Sequence, residues 1–391
     1  MRGMTRIAAA TAVALLLASG VAGAQIMIVG NDEKLSFDEN NKMVRHEPGK
    51  DSLSIVDISK PDAPRVTATI PLPNSIAGPP TNLAIHPSGE IALVANSVNA
   101  ERDGNDWKNV PDDKVFVVDL KANPPKILAT VNAGKQPSGM AISPKGDLAL
   151  VANRADGSLS VLSIKGKDVK VVDTVSIGNA ADHVAHVAIT PDGKRALALK
   201  FLGNKVALLS IDGEKVTYDK RDLPAGINPY NIAVTPDGKL AITADNGAGG
   251  GSDSNIDTVS VIDLEANPAR VIDKVVVGDA PEGFAISPKG NLAVVVLLRG
   301  SNADPKQFYY NKGGSVVALK IDGKKVTKTG EIVVGGLPEG VVFSPNGDYL
   351  YVGNFMDQDI SVLKVDGDKL TDTGQRVKLP GHPASMRGGP Q

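Results

Sequence analysis

The sequence contains no cysteine, which excludes disulfides, thiol catalysis and a lipid-anchored cysteine. Aromatic residues make up only 4% of the 391 residues, with a single tryptophan. The formal net charge is −2, whereas nucleic-acid binding needs a basic surface. Beyond residue 24, no run approaches the roughly 20 apolar residues of a membrane helix. We therefore expect no nucleic-acid partner and no transmembrane segment.

The N-terminal region has the pattern of a secretory signal peptide. Arg2 and Arg6 precede an apolar run over residues 7–18, and residues 22–24 are all small. We expect cleavage after Ala24, so that residues 1–24 are removed. The expected location of the mature chain is the periplasm or the extracellular medium.

A repeated pattern dominates the rest of the sequence. An apolar run, then Ser/Thr/His-Pro-x-Gly, then a second apolar run occurs six times. The prolines of the six copies are Pro87, Pro144, Pro191, Pro236, Pro288 and Pro345. Their spacings of 57, 47, 45, 52 and 57 residues are typical of propeller blades and not of helical repeats. We expect residues 25–391 to form one domain.

Each copy predicts two β-strands joined by a tight turn, because the flanking runs are rich in Val, Ile, Leu and Ala without helical periodicity. Ser or Thr, Pro and Gly at the first, second and fourth positions favour a type I turn. Two more apolar segments follow in each unit, which makes four strands. The N-terminal unit lacks its first strand, and the segment from Gly381 resembles one. The sequence therefore predicts an all-β fold, a seven-bladed β-propeller of four-stranded blades closed by pairing of the N- and C-terminal segments.

The second apolar run of several copies ends in a characteristic tetrapeptide. "LVAN" at 93–96 and 150–153, and "YVGN" at 351–354, resemble the Tyr-Val-Thr-Asn element of the YVTN-repeat and lactonase-like seven-bladed propellers of bacteria. This resemblance covers nearly all of residues 25–391. It implies a lactonase-like hydrolase or lyase that acts on a small organic or sugar-derived substrate. Propellers also host binding proteins and scaffolds, so the fold alone does not assign a reaction.

One rim of the predicted ring carries the longest insertions. Residues 32–50, 97–112, 246–256 and 299–312 each follow a second strand, and in a propeller these connections meet at one end of the channel. The same rim receives most of the aromatic and histidine residues: Phe37, Trp107, Phe201, Tyr230, Phe308, Tyr309, Tyr310, Phe355, His46, His183, His186 and His382. We therefore expect a small-molecule site at this loop-rich channel mouth.

Two glutamates are the strongest catalytic candidates. Glu282 and Glu339 occupy equivalent positions in adjacent blades, both within "PEG". Two close carboxylates can divide acid and base roles when one pKa is raised, and His186 can serve as a partner near neutral pH. The alternative is that each glutamate accepts hydrogen bonds from neighbouring blade amides as a feature of the repeat.

Other residues at the predicted mouth are candidates for substrate binding. Asn82, Tyr230 and Asn231 can orient a substrate or stabilise an oxyanion. Lys200 and Asp245 replace the asparagine of the "VAN" element, so each can neutralise a charged ligand group or form a salt bridge within the protein. The remaining candidates are His183, His382, Trp107 and Tyr309.

The sequence does not assign a cofactor. His183, His186 and a glutamate can together hold a divalent metal, although the three-residue spacing of the histidines does not force their side chains toward one point. The competing interpretation is a non-catalytic periplasmic propeller that binds a ligand or a protein partner.

Overall fold

The structure is a computed structural model that describes residues 25–249 and 251–389. The expected signal peptide, residues 1–24, lies outside the described residues. Seven four-stranded antiparallel sheets form the blades of a propeller, which confirms the predicted fold class. Blade 1 consists of Pro383–Gly388, Ile26–Asn31, Ser52–Asp57 and Arg65–Pro71.

The strands of the other blades follow in chain order from the innermost to the outermost. Blade 2 is Leu83–Ile85, Ile91–Ala95, Lys114–Asp119 and Lys126–Asn132; blade 3 is Pro137–Ile142, Leu148–Asn153, Ser158–Lys165 and Asp168–Ser176; blade 4 is Val184–Ile189, Arg195–Lys200, Lys205–Asp212 and Lys215–Pro224. Blade 5 is Pro229–Val234, Leu240–Asp245, Asp257–Asp263 and Arg270–Gly278; blade 6 is Pro281–Ile286, Leu292–Leu297, Ser315–Asp322 and Lys325–Val333; blade 7 is Pro338–Phe343, Tyr349–Asn354, Asp359–Asp366 and Lys369–Lys378.

The core lies between neighbouring blades. The second strand of blade 3, Leu148–Asn153, is buried along its whole length because both of its faces pack against other blades. The outermost strand of the same blade, Asp168–Ser176, is largely exposed and carries more polar residues. The near-continuous apolar runs of the sequence therefore form the second strands, and packing on both faces of these strands holds neighbouring blades together.

The two ends of the chain close the ring. In blade 1 the C-terminal strand pairs with the N-terminal strand, with Met27 opposite Gly388 and Val29 opposite Met386. This pairing gives the first blade its innermost strand and removes two open sheet edges. The predicted closure is confirmed.

The six Pro-x-Gly turns lie at the end of the ring opposite the insertions. In each turn the glycine N–H donates to the carbonyl three residues earlier over 2.7 to 2.8 Å, as in a type I turn. The turn glycines have φ between 66° and 77°, a conformation that side chains with a Cβ rarely adopt. The repeated glycine is therefore a requirement of the turn.

The insertions predicted to share one face contact one another there. Two of them contain hairpins, Leu35–Phe37 with Met43–Arg45 and Val98–Asp103 with Asp106–Pro111, and these hairpins touch. Asn41 Nδ2 donates to the Ala303 carbonyl over 2.8 Å, and the Gly300 N–H donates to Ser252 Oγ over 2.6 Å. The insertions of blades 5, 6, 1 and 2 thus form a continuous arc around the channel mouth.

Blades 3, 4 and 7 carry no insertion at the mouth. Their second and third strands are joined by four-residue turns, residues 154–157, 201–204 and 355–358. The insertions of blades 1 and 6, on either side of blade 7, meet through Asn41 and Ala303. A short 3₁₀ helix, Ala180–Asp182, precedes the first strand of blade 4. Across residues 25–249 and 251–389, no helix is long and apolar enough to cross a membrane. The mouth is therefore least covered above blades 3 and 4.

Candidate functional site

The two predicted glutamates lie side by side at the channel mouth. Glu282 and Glu339 occupy the same position in the innermost strands of blades 6 and 7, and they are only 3% and 4% exposed. The two strands approach so closely that a Cβ on Gly283 would lie 1.9 Å from the Glu339 carbonyl oxygen. The glycine that follows each glutamate therefore serves packing. We call Glu282 and Glu339 the carboxylate pair.

The carboxylate pair has an unequal electrostatic environment. Burial raises the pKa of Glu282 to about 8, although the Arg154 charge and a hydrogen bond from Asn246 Nδ2, 2.9 Å from Oε1, oppose the increase. Burial also raises the pKa of Glu339, and the charge of Glu282 raises it further. No cation or hydrogen bond lowers the pKa of Glu339 within the described part of the chain. Glu282 therefore releases its proton first and Glu339 holds its proton longer.

Arg154 reaches the mouth from the four-residue turn of blade 3. Its guanidinium carbon lies 5.0 Å from the centre of the Phe201 ring and 5.7 Å from that of Tyr230, and those two rings are 5.2 Å apart. Burial and the charge of Glu282 raise the pKa of Tyr230, so its phenol stays protonated near neutral pH. Arg154 and Tyr230 thus bring a fixed cation and a hydroxyl donor beside the carboxylate pair.

An apolar cluster adjoins the carboxylate pair. Leu35, from the hairpin of blade 1, packs with Leu298 of blade 6 and Phe355 of blade 7. The cluster also includes Ala280 and Leu337, which stand two residues before Glu282 and Glu339. An apolar neighbourhood excludes water and strengthens electrostatic interactions within it, which explains the raised pKa values.

His186 lies in the channel, but its environment does not fit the expected role of a base. Its Nδ1 accepts the Ile232 N–H over 3.2 Å, so in the neutral ring the proton is on Nε2. Burial and the Arg387 charge lower the pKa of His186 to about 3, with the Met140 carbonyl and Asn231 opposing the decrease. At neutral pH His186 is therefore a hydrogen-bond donor with no useful capacity to accept a proton.

Several buried polar groups of the inner strands and of the segments that flank them lack hydrogen-bond partners. Asn82 donates to Asn74 Oδ1 (3.0 Å) and to the Ala95 carbonyl (2.8 Å), and its Oδ1 has no partner. Asn231 Nδ2 and Glu282 Oε2 are likewise buried without a hydrogen bond. Unpartnered hydroxyls occur on Thr81, Ser97, Ser138 and Ser385. Buried polar groups normally have partners, so this set is suited to a polar occupant.

The asparagine of the "VAN" element has a structural role. Asn153 Nδ2 donates to Ser158 Oγ (2.9 Å) and Ser160 Oγ (3.0 Å), and its Oδ1 accepts the Gly134 N–H over 3.1 Å. Asn354 makes the equivalent contacts in blade 7. The residue ties the second strand to the third strand and to the incoming loop within one blade.

Lys200 and Asp245, predicted to contact substrate, follow this structural pattern. Lys200 Nζ donates to Asp222 of its own blade over 2.8 Å. Asp245 accepts hydrogen bonds from Thr243 (2.6 Å) and Ser260 (2.7 Å), also within one blade. Both side chains thus have partners within their own blade, and the salt bridge foreseen as an alternative forms only for Lys200.

The other predicted binding residues are dispersed around the rim. His183 is half-buried, and Arg154 contributes to lowering its pKa. His382 Nδ1 lies 2.8 Å from Glu33 Oε1, and its ring stacks 4.9 Å from Phe355. His183 is thus near the carboxylate pair's cation, whereas His382 belongs to the loop arc.

Trp107 and Tyr309 stand farther from the carboxylate pair. The Trp107 ring lies on the hairpin of blade 2, with the Arg102 guanidinium carbon 5.5 Å from its centre. Tyr309 contacts Phe308 at 5.3 Å between ring centres and lines a separate cavity of about 230 Å³ together with Arg299 and Glu331. These two aromatics do not join the cluster around Glu282.

The predicted metal ligand set does not assemble. Among the residues that the structure describes, no three His, Asp or Glu side chains are arranged to hold a metal ion. His183 and His186 therefore do not form a centre with either glutamate.

Two important residues of the site were not predicted. Arg154 directly follows a "VAN" element, and an arginine there, in a four-residue turn, is the signal that could have pointed to the mouth. Asn246 is the first residue of the blade 5 insertion, and no pattern in the sequence relates it to Glu282.

Comparisons with known proteins agree with this architecture. Residues 108–260 match the family model described as lactonase, 7-bladed beta-propeller. Antigen Lp49 of Leptospira interrogans serogroup Icterohaemorrhagiae serovar copenhageni (strain Fiocruz L1-130) is 26% identical over 260 residues, which cover 63% of this chain and 52% of that protein. The chain thus spans about half the length of this curated relative.

Solved structures share the fold at low sequence identity. A protein of Bacteroides uniformis ATCC 8492 provisionally named 6-phosphogluconolactonase has a TM-score of 0.70 at 17% identity, with 93% of this chain and 99% of that chain covered. The periplasmic gluconolactonase of Pseudomonas aeruginosa has a TM-score of 0.67 at 18% identity, with coverage of 94% and 99%. Residues 108–260 thus resemble the lactonase family of seven-bladed β-propellers, and the whole described chain has the architecture of a seven-bladed β-propeller.

Proposed function

We propose that this chain is a hydrolase that opens small organic or sugar-derived lactones at the channel mouth. The observation that carries the proposal is the unequal carboxylate pair, in which Glu282 has a cation and an amide donor and Glu339 has neither. Such a pair supplies a base and an acid at the same time. The lactonase-like family and the gluconolactonase named among the structural neighbours support this choice of substrate class.

The proposed reaction begins with ionised Glu282. Glu282 takes a proton from water, and the water oxygen forms a bond to the lactone carbonyl carbon. Arg154 and the Tyr230 hydroxyl stabilise the negative charge that develops on the carbonyl oxygen. The ring C–O bond then breaks as protonated Glu339 donates its proton to the leaving oxygen. The product is one hydroxy acid, and proton transfer between the two glutamates restores the starting state.

A substrate can approach where the mouth lacks an insertion. Blades 3 and 4 have only four-residue turns there, and half-buried Arg154 and His183 border this side. Unpartnered groups such as Asn82 Oδ1 and Ser138 Oγ can bind the hydroxyls of a polar substrate. His186 contributes a hydrogen-bond donor in this scheme.

The test is an assay of acid release from a panel of simple and sugar-derived lactones. We expect Glu282→Gln and Glu339→Gln each to lower kcat by about 10²- to 10⁴-fold, the usual contribution of a general acid or base. The wild-type rate should rise with pH and reach half of its maximum near pH 8, where Glu282 is half ionised. Glu90→Gln, an exposed glutamate at the opposite end of the ring, is the matched control.

Two results would contradict the proposal. The first is a wild-type protein that opens no lactone, and the second is a full rate in both carboxylate variants. A lyase in place of a hydrolase would release an unsaturated product, which product analysis identifies. An inactive wild type would favour the alternative of a binding propeller, for which the 87% exposed Phe308 on the same rim is the supporting observation.

We also propose that the chain is exported, on the strength of the pattern in residues 1–24. Cell fractionation of the full chain and of a chain that lacks residues 2–24 tests this. Equal distribution of the two between cytoplasm and exported fractions would contradict it.

A further inference from the structure

The channel contains a cation that is distinct from the one at the mouth. Arg387 lies on the innermost strand of blade 1, where it pairs with Ile28. At the same register position the other blades carry only small residues: Ala84, Ala141, Ala188, Ala233, Ala285 and Val342. One blade in seven therefore places a long charged side chain where the others leave space around the axis.

Arg387 extends across the channel. Its Nη2 donates to the Met140 carbonyl of blade 3 over 3.3 Å, so the side chain passes the innermost strand of blade 2. The strands enclose the guanidinium, yet part of its surface remains accessible, as expected for a group that faces an axial channel. A guanidinium has five N–H donors, and the Met140 carbonyl occupies one of them.

No carboxylate of residues 25–249 or 251–389 balances this charge. Arg387 has no ion pair among the described residues, and burial lowers its pKa without any opposing effect from an acidic group. The pKa of Glu282 responds to Arg154 and not to Arg387, and the pKa of Glu339 responds to neither arginine. An enclosed cation without a counter-ion is costly, since charges in protein interiors are normally paired.

A second donor points to the same place. His186 Nε2 is buried and carries the ring proton, and it lacks a well-formed hydrogen bond, although the Met140 carbonyl and Asn231 interact with the ring closely enough to raise its pKa. The charge of Arg387 and the Met140 carbonyl both influence His186, so the imidazole and the guanidinium lie close together. Asn231 Nδ2, which likewise lacks a well-formed hydrogen bond, belongs to the same neighbourhood.

We propose that Arg387 and His186 form an anion-binding site inside the channel, separate from the carboxylate pair, for a small oxyanion such as a carboxylate or sulfate. Guanidinium binds planar oxyanions through two parallel hydrogen bonds, and the imidazole Nε2–H adds a third donor. The bound anion supplies the missing counter-ion. It is either a free inorganic ion or the carboxylate of a hydroxy acid.

The test is isothermal titration calorimetry of the full chain with sodium sulfate and with sodium gluconate, in a chloride-free buffer of low ionic strength. We expect binding of one anion per chain. Arg387→Gln should weaken it about tenfold to a hundredfold, as for loss of a charge-assisted hydrogen bond. His186→Gln, which keeps an N–H donor, should weaken it less. Arg65→Gln, at a 74% exposed arginine on an outermost strand, should leave it unchanged.

A second measurement keeps the proposal testable if Arg387→Gln does not fold. Crystals soaked in selenate should show anomalous density beside Arg387 and His186. Tighter binding of gluconate than of sulfate identifies a hydroxy acid as the source, and equal binding identifies an inorganic ion. The proposal is overturned if neither anion binds the wild type, if Arg387→Gln binds as tightly as the wild type, or if selenate lies elsewhere.

The same titration of Glu339→Gln separates this site from the proposed hydrolysis. We expect that variant to lose hydrolysis and to keep anion binding. The anion site would be supported even if no lactone is a substrate, provided that only the variants at Arg387 and His186 lose anion binding.

Discussion

Replacement of Glu339 by glutamine should change the pH dependence of stability in a defined way. In the folded protein both glutamates of the carboxylate pair hold protons above the ordinary glutamate pKa of 4.5. The unfolded chain releases those protons near that value. Between about pH 5.5 and 7.5 the folded state therefore binds more protons than the unfolded state, and the free energy of unfolding falls as the pH rises.

The magnitude follows from proton linkage. Each extra proton held by the folded state lowers the free energy of unfolding by about 1.4 kcal/mol per pH unit. Glu339→Gln removes one such proton and preserves the shape of the side chain. From pH 5.5 to 7.5 the wild type should thus lose about 3 kcal/mol more than the variant. The contributions of titrating groups that do not interact with Glu339 cancel in this difference.

The assay is urea denaturation followed by circular dichroism at several pH values across this interval. Glu90→Gln, at the exposed end of a Pro-x-Gly turn, measures the effect of removing a carboxylate outside the channel. A slope for Glu339→Gln equal to that for Glu90→Gln would refute the reasoning, because the buried carboxyl would then titrate like an exposed one.

Three further substitutions or truncations test the packing around the site. Gly283→Ala should lower the free energy of unfolding, measured by urea denaturation, by about 1 to 3 kcal/mol, because its Cβ would lie 1.9 Å from the Glu339 carbonyl oxygen. The control is Gly330→Ala, which has open space around it and should change the free energy of unfolding by less than about 0.5 kcal/mol. Leu35→Ala should cost about 2 to 4 kcal/mol by the same assay, and an unchanged stability would mean that the apolar cluster beside the carboxylate pair is loosely packed. Deletion of residues 383–391 should leave the N-terminal strand of blade 1 unpaired and lower Tm with association of chains, and a monomer with unchanged Tm would contradict the closure.

The fold was predictable because its information is local and repeated. Each Pro-x-Gly turn requires its glycine at positive φ, and each second strand needs apolar residues on both faces, so every copy reports the same four-stranded unit. The closure was predictable for the same reason, since the segment from Gly381 resembles a first strand and the N-terminal unit lacks one.

The candidate site was predictable only in part, because a sequence shows which repeats differ but not where a side chain points. Glu282 and Glu339 differ from most of their repeats at equivalent positions of neighbouring innermost strands, and there the difference does place two buried carboxyl groups next to each other. Lys200 and Asp245 differ from their repeats just as clearly, yet those positions bond within the blade. Successive residues of a strand point to opposite faces, and this alternation distinguishes the two kinds of position. The sequence alone did not show which residues of each strand belong to which face.

The features of the site that the sequence did not predict depend on interactions between blades that are far apart in sequence. Arg154 starts on blade 3 and affects the pKa of Glu282 on blade 6, and no spacing in the sequence encodes that distance across the ring. The proton position on His186 depends on the Ile232 N–H of the next blade, which turns an expected base into a donor. The repeats thus predict where these residues lie, whereas contacts between blades determine which of them hold or release a proton.

The two arginines of the channel divide it into different electrostatic regions. Arg154 lies beside the carboxylate pair and favours ionisation of Glu282, whereas Arg387 lies beside a neutral imidazole and has no acidic partner. If Arg387 lay within reach of the pair, its charge would lower both carboxyl pKa values and leave no protonated acid at neutral pH. Separation of the second cation from the pair therefore preserves Glu339 as a proton donor, and the same separation leaves Arg387 available for an external anion.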